Sequence, residues 1–215
     1  MPQKNSIKEY RENSFYHIYN RGVAKQSIFV DDKDFKTFLS YLKLYLLSPI
    51  LQGDSLQVAP SRVLKNHTKN VDLIAYCLMS NHFHLLIYQR NSESINYFMR
   101  SLATKYSVYF NKRYKRVGPV FSGVYKAVKV TSENQLSYLS KYIHRNPLDF
   151  LPTRRLLVGY KYSSYLNYLG KFSQAWVKPS KVLELFKSSV EYRKFVEEED
   201  ERDMALIKEV HLDFE

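Results

Sequence analysis

Two histidines, His82 and His84, are spaced so that a β-strand would present both on one face. Residues i and i+2 of a strand point the same way, whereas Phe83 between them would point to the opposite face. Two imidazoles held side by side on a strand form half of a divalent-metal site. The alternative is an ordinary amphipathic strand with two half-exposed polar residues, and an isolated His-x-His pair favours that alternative. The rest of the chain therefore has to decide between the two.

A second pair, Tyr142 and Asn146, is spaced four residues apart just before Pro147. A helix places residues i and i+4 on one face, so the amide oxygen of Asn146 could ligate a metal beside the phenol. A tyrosine with an ordinary pKa of about 10 is a poor nucleophile at neutral pH and needs a metal or a polarised phosphate to attack. The alternative is a helix end with a buried tyrosine and a capping asparagine.

The third feature is a basic span, residues 94–132, that contains no acidic residue. Basic side chains supply contacts to phosphates, and the tyrosines and phenylalanines between them supply stacking surfaces for unpaired bases. A solvated helix face with core aromatics is the competing interpretation, but the absence of acidic residues over this length disfavours it. The predicted nucleic-acid-binding residues are Arg100, Lys105, Lys112, Arg113, Lys115, Arg116, Lys126 and Lys129.

Charge is unevenly distributed over the 215 residues, whose formal net charge is +12. Residues 191–215 contain ten acidic and four basic residues, which leaves 29 basic against 11 acidic residues in 1–190. This excess favours a polyanionic partner, and no basic amphipathic anchor or lipidation signal points to a membrane instead. The single cysteine, Cys77, excludes an internal disulfide and a cysteine-rich zinc site. Without an apolar run of eighteen residues or a signal-peptide core, the chain is expected to be soluble and cytoplasmic.

The elements that must position these residues follow the order strand, helix, strand, strand, helix, strand, helix. The strands are predicted at 15–20, 71–79, 82–89 and within 121–130, and the turn Ser80-Asn81 would place Cys77 across from His84. This order is typical of the α+β ferredoxin-like (RRM-like) fold, an antiparallel sheet with helices packed on it. We assign residues 1–150 to a catalytic domain and residues 151–215 to a C-terminal helical extension with an acidic tail, including a helix over 181–195. A loop, with room for a short hairpin, is predicted over 50–70.

Three motifs in this order resemble the single-tyrosine HUH transposases, also called insertion-sequence-200-like, and especially their REP-associated tyrosine transposase branch. The letters denote His, hydrophobic residue, His, and the resemblance covers roughly residues 10 to 170. The motifs are the segments 79–84 (Met-Ser-Asn-His-Phe-His), 116–126 (Arg-x-Gly-Pro-Val-Phe-Ser-Gly-x-Tyr-Lys) and 142–147 (Tyr-Ile-x-x-Asn-Pro).

The resemblance implies a role for each of four residues. His82, His84 and Asn146 would bind Mg²⁺ or Mn²⁺, and Tyr142 would attack a phosphodiester of single-stranded DNA. In this family the products are a 5′-phosphotyrosine link and a free 3′-OH, and the step can be reversed to join strands. Family members recognise hairpins beside the cleavage point, so hairpin DNA is the expected partner.

Two other classes of function remain as alternatives. The first is a nucleic-acid-binding domain, domesticated from a transposase, that does not cleave; it would be expected to have lost Tyr142 or the His pair. The second is a metal hydrolase with water as nucleophile, which would need acidic ligands near the His pair. Related enzymes occur as monomers and as dimers that share active sites, so the sequence leaves a homodimer open. Tyr106 and Tyr109 are the competing candidates for the nucleophile.

Overall fold

The centre of the molecule is a four-stranded antiparallel sheet. The computed structural model describes residues 9–48 and 66–198. The strands are β1 (Ser14–Arg21), β2 (Val71–Met79), β3 (His82–Gln89) and β4 (Lys126–Lys129), and they lie side by side in the order β2-β3-β1-β4. Every neighbouring pair is antiparallel. This is the predicted ferredoxin-like α+β arrangement, in which β1 and β3 are the two central strands.

Helices cover both faces of this sheet. The described helices are α1 (Asp32–Leu46), α2 (Ser94–Tyr114), α3 (Glu133–Arg145), α4 (Tyr165–Tyr168), α5 (Ser180–Leu183) and α6 (Ser189–Glu197). Short 3₁₀ turns occur at Val23–Lys25, Asn146–Asp149 and Arg154–Gly159. The helix predicted over 181–195 is two helices, because the hydroxyl of Ser188 accepts a hydrogen bond from the N–H of Glu191 and starts a new one. None of the helices described is long and apolar enough to cross a membrane.

On one face of the sheet, α1 and α2 pack against the inward side chains of Phe83, Leu85 and Ile87. The start of α1 is fastened to the end of α2 by an ion pair. The carboxylate of Asp34, which is fully buried, accepts hydrogen bonds from Tyr109, Arg113 and Tyr114. A buried carboxylate needs such partners because its desolvation is otherwise costly. This network therefore fixes how the two helices cross.

On the opposite face, α3 packs against the sheet together with the chain that follows it. Leu157, Tyr165, Tyr168, Val182 and Tyr192 are all buried there. The backbone of this segment also extends the sheet locally, through bridges from Ser163 to Cys77 and from Val177 to Leu73. Most of the buried side chains of residues 157–196 thus share the core of α3, whereas Trp176 and Val177 join the core on the other face. The predicted domain boundary at residue 150 stays a prediction.

The turn between β2 and β3 is the predicted Ser80-Asn81 pair, and it is held by the segment after β1. The N–H groups of Ile28 and Phe29 both donate to the carbonyl of Ser80 at 2.8 Å, and that of Gly22 donates to the carbonyl of Asn81 at 2.8 Å. A Cβ atom at position 22 would collide with the carbonyl oxygen of Gln26. Glycine is therefore required where the backbone of residue 22 passes close to that of Gln26. Most of the loop predicted over 50–70 lies outside the described residues.

Candidate active site

The two histidines of β3 point to the same face of the sheet, toward α3. In the hairpin, Cys77 pairs with His84 and Met79 with His82, as the turn position predicted. His82 and His84 lie with their ring centroids 5.1 Å apart and nearly perpendicular. The Tyr142 ring contacts the His84 ring edge-on, with centroids 5.3 Å apart. The His pair and the tyrosine, sixty residues apart in sequence, therefore meet at one place.

Helix α3 is set in place by its cap and its apolar side. Ser132 is the N-cap of the helix, and its hydroxyl accepts a hydrogen bond from the N–H of Gln135. Leu136, Leu139 and Ile143 are buried against the sheet. With these positions fixed by a 3.6-residue period, Tyr142 is directed toward β3 and Asn146 follows it by one turn.

His144 faces away from Tyr142, as helical phase predicted. Its Nδ1 lies 2.7 Å from the Tyr192 hydroxyl and its Nε2 lies 2.8 Å from the Ser164 hydroxyl, in the fully buried core. Burial lowers the pKa of His144 to about 3 because the protonated ring would be cut off from water. This histidine is a structural residue that joins α3 to the segment after it.

His82 lies between two amide oxygens. Its Nδ1 is 2.6 Å from Oδ1 of Asn81 and its Nε2 is 3.3 Å from Oδ1 of Asn146. Each amide is oriented by donating its NH₂ group to a backbone carbonyl, Asn81 to Lys25 and Asn146 to Tyr142. Neutral imidazole carries one N–H, so it can donate to only one of the two oxygens. A lone pair on the ring and a lone pair on an amide oxygen therefore face each other unless the ring is protonated or a cation binds between them.

This arrangement suits a divalent metal ion at Nε2 of His82 and Oδ1 of Asn146. Two ligands at about 2.1 Å from one ion and at right angles to each other lie roughly 3 Å apart. Among the residues described, no three or more His, Cys, Asp or Glu side chains gather in a way that could hold a metal. The predicted set of His82, His84 and Asn146 differs because one ligand is an amide. A set of two nitrogens and one oxygen suits Mn²⁺ better than Mg²⁺, which prefers oxygen ligands throughout.

His84 is supported from behind by a third histidine, His17 of β1. Nε2 of His17 lies 2.8 Å from Nδ1 of His84, both rings are fully buried, and they stack with centroids 5.0 Å apart. Because this contact occupies Nδ1, the ligating nitrogen of His84 would be Nε2. A hydrogen bond to the second ring nitrogen is the usual way in which proteins fix the tautomer of a metal-binding histidine.

The Tyr142 phenol is in an environment that resists ionisation. Burial raises its pKa well above the usual value, the carboxylate of Asp149 adds to this, and a hydrogen bond with the Asn146 side chain opposes it. The neutral phenol is a weak nucleophile. The site therefore needs positive charge near the phenol oxygen or on the phosphate that it attacks.

A cleft of about 340 Å³ opens in front of these residues. Arg21 and Lys25 lie along it with His82, Tyr142 and Asn146. Arg21 is the cross-strand partner of His82, and Lys25 follows in the turn that Asn81 holds. Two cations beside a tyrosine and a pair of histidines can hold a phosphate. Asp149 and Phe150 form the far side, where the Phe150 ring is 55% exposed and can stack on a base.

Most of the basic residues predicted to bind DNA lie away from this cleft. Arg100, Lys105 and Lys112 belong to α2, behind the sheet. Lys126 is opposite Tyr19 on β4 and shares the face of His84, whereas Lys129 is opposite Tyr16 on the other face. Arg116 donates to the Gln26 side chain at 3.3 Å, and Lys115 ends α2 in a left-handed conformation. The predicted contacts therefore do not form one surface with the His pair.

Arg113, which was predicted to bind DNA, has its guanidinium engaged within the protein. Its guanidinium pairs with the carboxylates of Asp31 and Asp34, the second of which is buried. These carboxylates raise the pKa of Arg113 further above its usual value. We leave Arg113 out of the DNA surface proposed below because a phosphate would have to displace both carboxylates.

The competing tyrosines are on the wrong face of the sheet to attack a phosphate held by the His pair. The Tyr106 hydroxyl donates to the carbonyl of Ile28 at 2.5 Å in the core beneath α1 and α2. The Tyr109 hydroxyl donates to Asp34. Tyr138, one turn before Tyr142, packs on Phe195 instead. Of these tyrosines only Tyr142 contacts His84.

Sequence reasoning missed three residues of this site, namely His17, Arg21 and Lys25. The signal for the first two was the alternation of β1 combined with the order of strands that the predicted ferredoxin-like fold implies. That order places β1 beside β3, so the side chains of β1 that share a face with His82 and His84 are His17, Tyr19 and Arg21. Lys25 lies in an irregular turn and had no such signal.

A strand carrying His-Phe-His that faces a helix-borne tyrosine defines a single-tyrosine HUH arrangement. Residues 54–146 match the family model described as "Transposase IS200 like", so this part of the chain is similar to the IS200-like transposases. The matched range includes all four predicted residues, from His82 to Asn146. The resemblance inferred from the sequence is confirmed. A comparison with curated proteins gives no significant match.

Comparison with solved structures supports the fold. A REP-associated tyrosine transposase bound to a REP hairpin aligns with a TM-score of 0.56 at 8% identity, over 82% of this chain and 98% of that protein. A candidate transposase of Deinococcus radiodurans R1 aligns with a TM-score of 0.38 at 15% identity, over 67% and 97% of the two chains. The second score is too low to support an argument, whereas the first shows a shared fold.

Proposed function

We propose that this chain is a metal-dependent transposase that cleaves and rejoins single-stranded DNA through a tyrosine nucleophile. The observation that carries the proposal is the convergence of His82, Tyr142 and Asn146 on one cleft from two elements, β3 and the end of α3, with the buried ring of His84 in contact with Tyr142 behind them. The match of residues 54–146 to the IS200-like transposases supports the same activity.

In the proposed reaction the phenol oxygen of Tyr142 forms a bond to phosphorus while the bond from phosphorus to the 3′ oxygen breaks. The phenol gives up its proton and the released 3′ oxygen gains one, so the products are a 5′-phosphotyrosine and a free 3′-OH. The phosphodiester bond is exchanged for another of similar energy, so joining can run the same step backwards without ATP. Arg21 and Lys25 hold the phosphate in the cleft and offset the charge that collects on its oxygens.

The metal ion would be held by His82, His84 and Asn146, with His17 fixing the ring of His84. When bound, it would act as a Lewis acid on the scissile phosphate. The residues of the chain then have separate tasks. Asn81 orients His82, His17 orients His84, and the packing of α3 brings the Tyr142 phenol to the phosphate.

The proposed substrate is a hairpin with an unpaired flank. The structural relative with the same fold binds a REP hairpin, and the cleft of this chain offers a phosphate site beside the exposed ring of Phe150. At about 340 Å³ the cleft has room for about one nucleotide of a strand. We expect the cognate sites to be imperfect palindromes beside the gene.

The test is a covalent adduct assay. Purified protein, Mn²⁺ or Mg²⁺ and single-stranded oligonucleotides carrying the flanking palindromes are separated on a denaturing gel. We expect a protein–DNA adduct that is absent in Tyr142→Phe and reduced at least about 100-fold in His82→Ala or His84→Ala, since both remove groups that act together on the reacting phosphate.

Tyr106→Phe serves as the matched control because it also removes one hydroxyl, on the other face of the sheet. An adduct that persists in Tyr142→Phe would contradict the assignment of the nucleophile. If the wild-type protein binds the hairpin but forms no adduct, the alternative of a DNA-binding domain that does not cleave is favoured instead. Binding measured in the same samples separates these outcomes.

A further inference from the structure

A second cavity, of about 350 Å³, lies on the other face of the sheet from the cleft. Its floor is apolar and buried, and it contains Met99 of α2 and four aromatic rings, those of Phe38, Phe83, Phe121 and Tyr125. Its walls also include Asn20, Asn96 and Arg100. We call this the back cavity. Nothing in the proposed cleavage reaction uses it.

The walls of the back cavity combine flat rings with fixed amides. Asn20 is 7% exposed, and its amide is oriented by donating to the carbonyl of Gly123 at 3.3 Å and accepting from the N–H of Arg21 at 2.8 Å. Asn96 accepts from the Tyr125 hydroxyl at 2.7 Å and donates to Glu93 at 3.0 Å. Each NH₂ group has a second hydrogen beyond the bond named. Rings and preset amide groups together are suited to a planar heterocycle that has polar edges.

The rim of the back cavity is positively charged. The Arg100 side chain is exposed at the edge, next to the exposed hydroxyl of Thr104. Every residue that α2 and the loop contribute to the lining comes from the acid-free span 94–132. An anionic group attached to the heterocycle would therefore meet a cation and no lining carboxylate. An acidic or purely apolar peptide would use only part of this chemistry.

The back cavity and the cleft lie at the same end of the sheet, back to back. Asn20 and Arg21 are consecutive in β1, and so are His82 and Phe83 in β3. Because neighbouring residues of a strand point to opposite faces, Asn20 and Phe83 line the back cavity while Arg21 and His82 line the cleft. One DNA strand that passes around this end of the sheet could reach both.

We propose that the back cavity binds one unpaired nucleobase of single-stranded DNA, with Arg100 on the phosphate of the same nucleotide. The base packs against the apolar floor to which Phe83 and Phe121 contribute, their rings meeting edge-on with centroids 5.9 Å apart, and Asn20 contacts the edge of the base. The volume is at the small end of the range for ligand pockets, about 300 to 1,000 Å³, and admits one nucleotide but no base pair. The inference rests on the proposed function only in that the ligand is DNA, and it requires neither metal nor cleavage.

The test uses the four deoxynucleoside 5′-monophosphates as probes and two-dimensional NMR of ¹⁵N-labelled full-length protein without metal. We expect saturable shifts of the side-chain amides of Asn20 and Asn96 and of the Gly123 N–H, with Kd of order 1 mM, since one stacked base and one charged contact give about that affinity. Arg100→Gln should weaken thymidine monophosphate about fivefold or more and leave thymidine unchanged, because only the monophosphate carries the charge.

Ala103→Phe fills the back cavity and should abolish the shifts, whereas Val108→Phe adds the same ring at an exposed position of α2 and should not. Absence of shifts at a nucleotide concentration 10 times the expected Kd overturns the inference. Shifts in Ala103→Phe that equal those of wild type overturn it as well. Equal binding of indole, an apolar ring without phosphate, would also overturn it. An adduct in the cleavage assay together with no nucleotide binding would leave the proposed function intact, and the reverse result would leave this inference intact.

Discussion

At the scale of single residues, the site depends on histidines held in fixed tautomers. His17 does not line the cleft and would act on a metal ion only through His84, so we class it as a positioning residue. His17→Phe keeps a ring of similar size in the stack but removes the hydrogen bond. We expect the Mn²⁺ concentration for half-maximal adduct formation to rise about 10- to 100-fold, as for other residues behind metal ligands.

The measurement for His17→Phe is the rate of adduct formation over a Mn²⁺ series, and high Mn²⁺ should restore much of the wild-type rate. A purely structural role would lower the rate at every concentration and leave the half-maximal concentration unchanged. Tyr45→Phe, which removes a hydroxyl that donates to Ser101 at 3.4 Å beneath α1, is the control for a buried ring far from the site.

Arg21 supports a second prediction at this scale. Its position opposite His82 on the cleft would place it on the phosphate of the proposed reaction. Hydrogen bonds to charged groups contribute about 1.5 to 3 kcal/mol each. Arg21→Gln should therefore lower the second-order rate of adduct formation by roughly 10- to 150-fold, with a smaller effect on overall hairpin affinity. Lys33→Gln, an exposed cation on α1, is the matched control. Equal rates for Arg21→Gln and wild type would remove Arg21 from the phosphate site.

At the scale of elements, α3 carries both the proposed nucleophile, Tyr142, and a buried histidine that makes stability depend on pH. The His144 pKa is lowered to about 3 in the folded protein, against about 6.5 in the unfolded chain. Below pH 6.5 the unfolded chain binds a proton that the folded protein excludes, so stability falls as the pH falls toward 3. At pH 5 this amounts to about 2 kcal/mol less stability than at pH 7.

Urea unfolding of wild type and His144→Gln at pH 7 and pH 5 measures this effect, because the variant lacks the titrating group. The loss of stability between the two pH values should be about 2 kcal/mol smaller in the variant. If the variant folds too poorly, the ring proton shifts of His144 in wild type provide the second measurement. Titration of that ring at an ordinary pH near 6.5 would contradict the prediction.

The sequence predicted the elements well where a local pattern determined them. Alternation placed His82 and His84 on one face, the Ser80-Asn81 turn set the register with Cys77, and helical phase turned His144 away from Tyr142. It did not predict which face of the sheet α2 would cover, because the helical period relates side chains of one helix to each other and not to another element. The basic span was predicted to bind DNA, and α2 places most of it on the face of the sheet opposite the His pair. Arg21 was missed since its proximity to His82 depends on strand order.

At the scale of the whole molecule, positive charge is divided between two surfaces. Arg21 and Lys25 serve the cleft, whereas Arg100, Lys105 and Lys112 belong to α2 on the other side. A hairpin with an unpaired flank could contact both, with the flank in the cleft and the stem along α2. Affinity for such a hairpin would then fall steeply with salt, since each phosphate contact releases counterions.

The packing of residues 157–196 leads to a prediction about the boundary at residue 150. Leu157, Tyr165, Tyr168, Val182, Tyr192 and Val196 are at most 1% exposed, in contact with the face of the sheet that carries the His pair. Burial of each large apolar side chain contributes roughly 1.5 to 3 kcal/mol, so the six together contribute about as much as the whole stability of a typical domain, about 5 to 15 kcal/mol.

A chain ending at residue 150 should therefore lack a cooperative unfolding transition, whereas one ending at residue 198 should unfold within about 1 kcal/mol of the full chain. Denaturant unfolding followed by circular dichroism compares the three chains. A cooperative transition for residues 1–150 would show that the sheet and α1 to α3 fold alone. Loss of the cooperative transition in residues 1–150 is the expected result. It would mean that α3, and with it Tyr142, is held against β3 by the later segment, which contacts His144 through Tyr192 and Ser164.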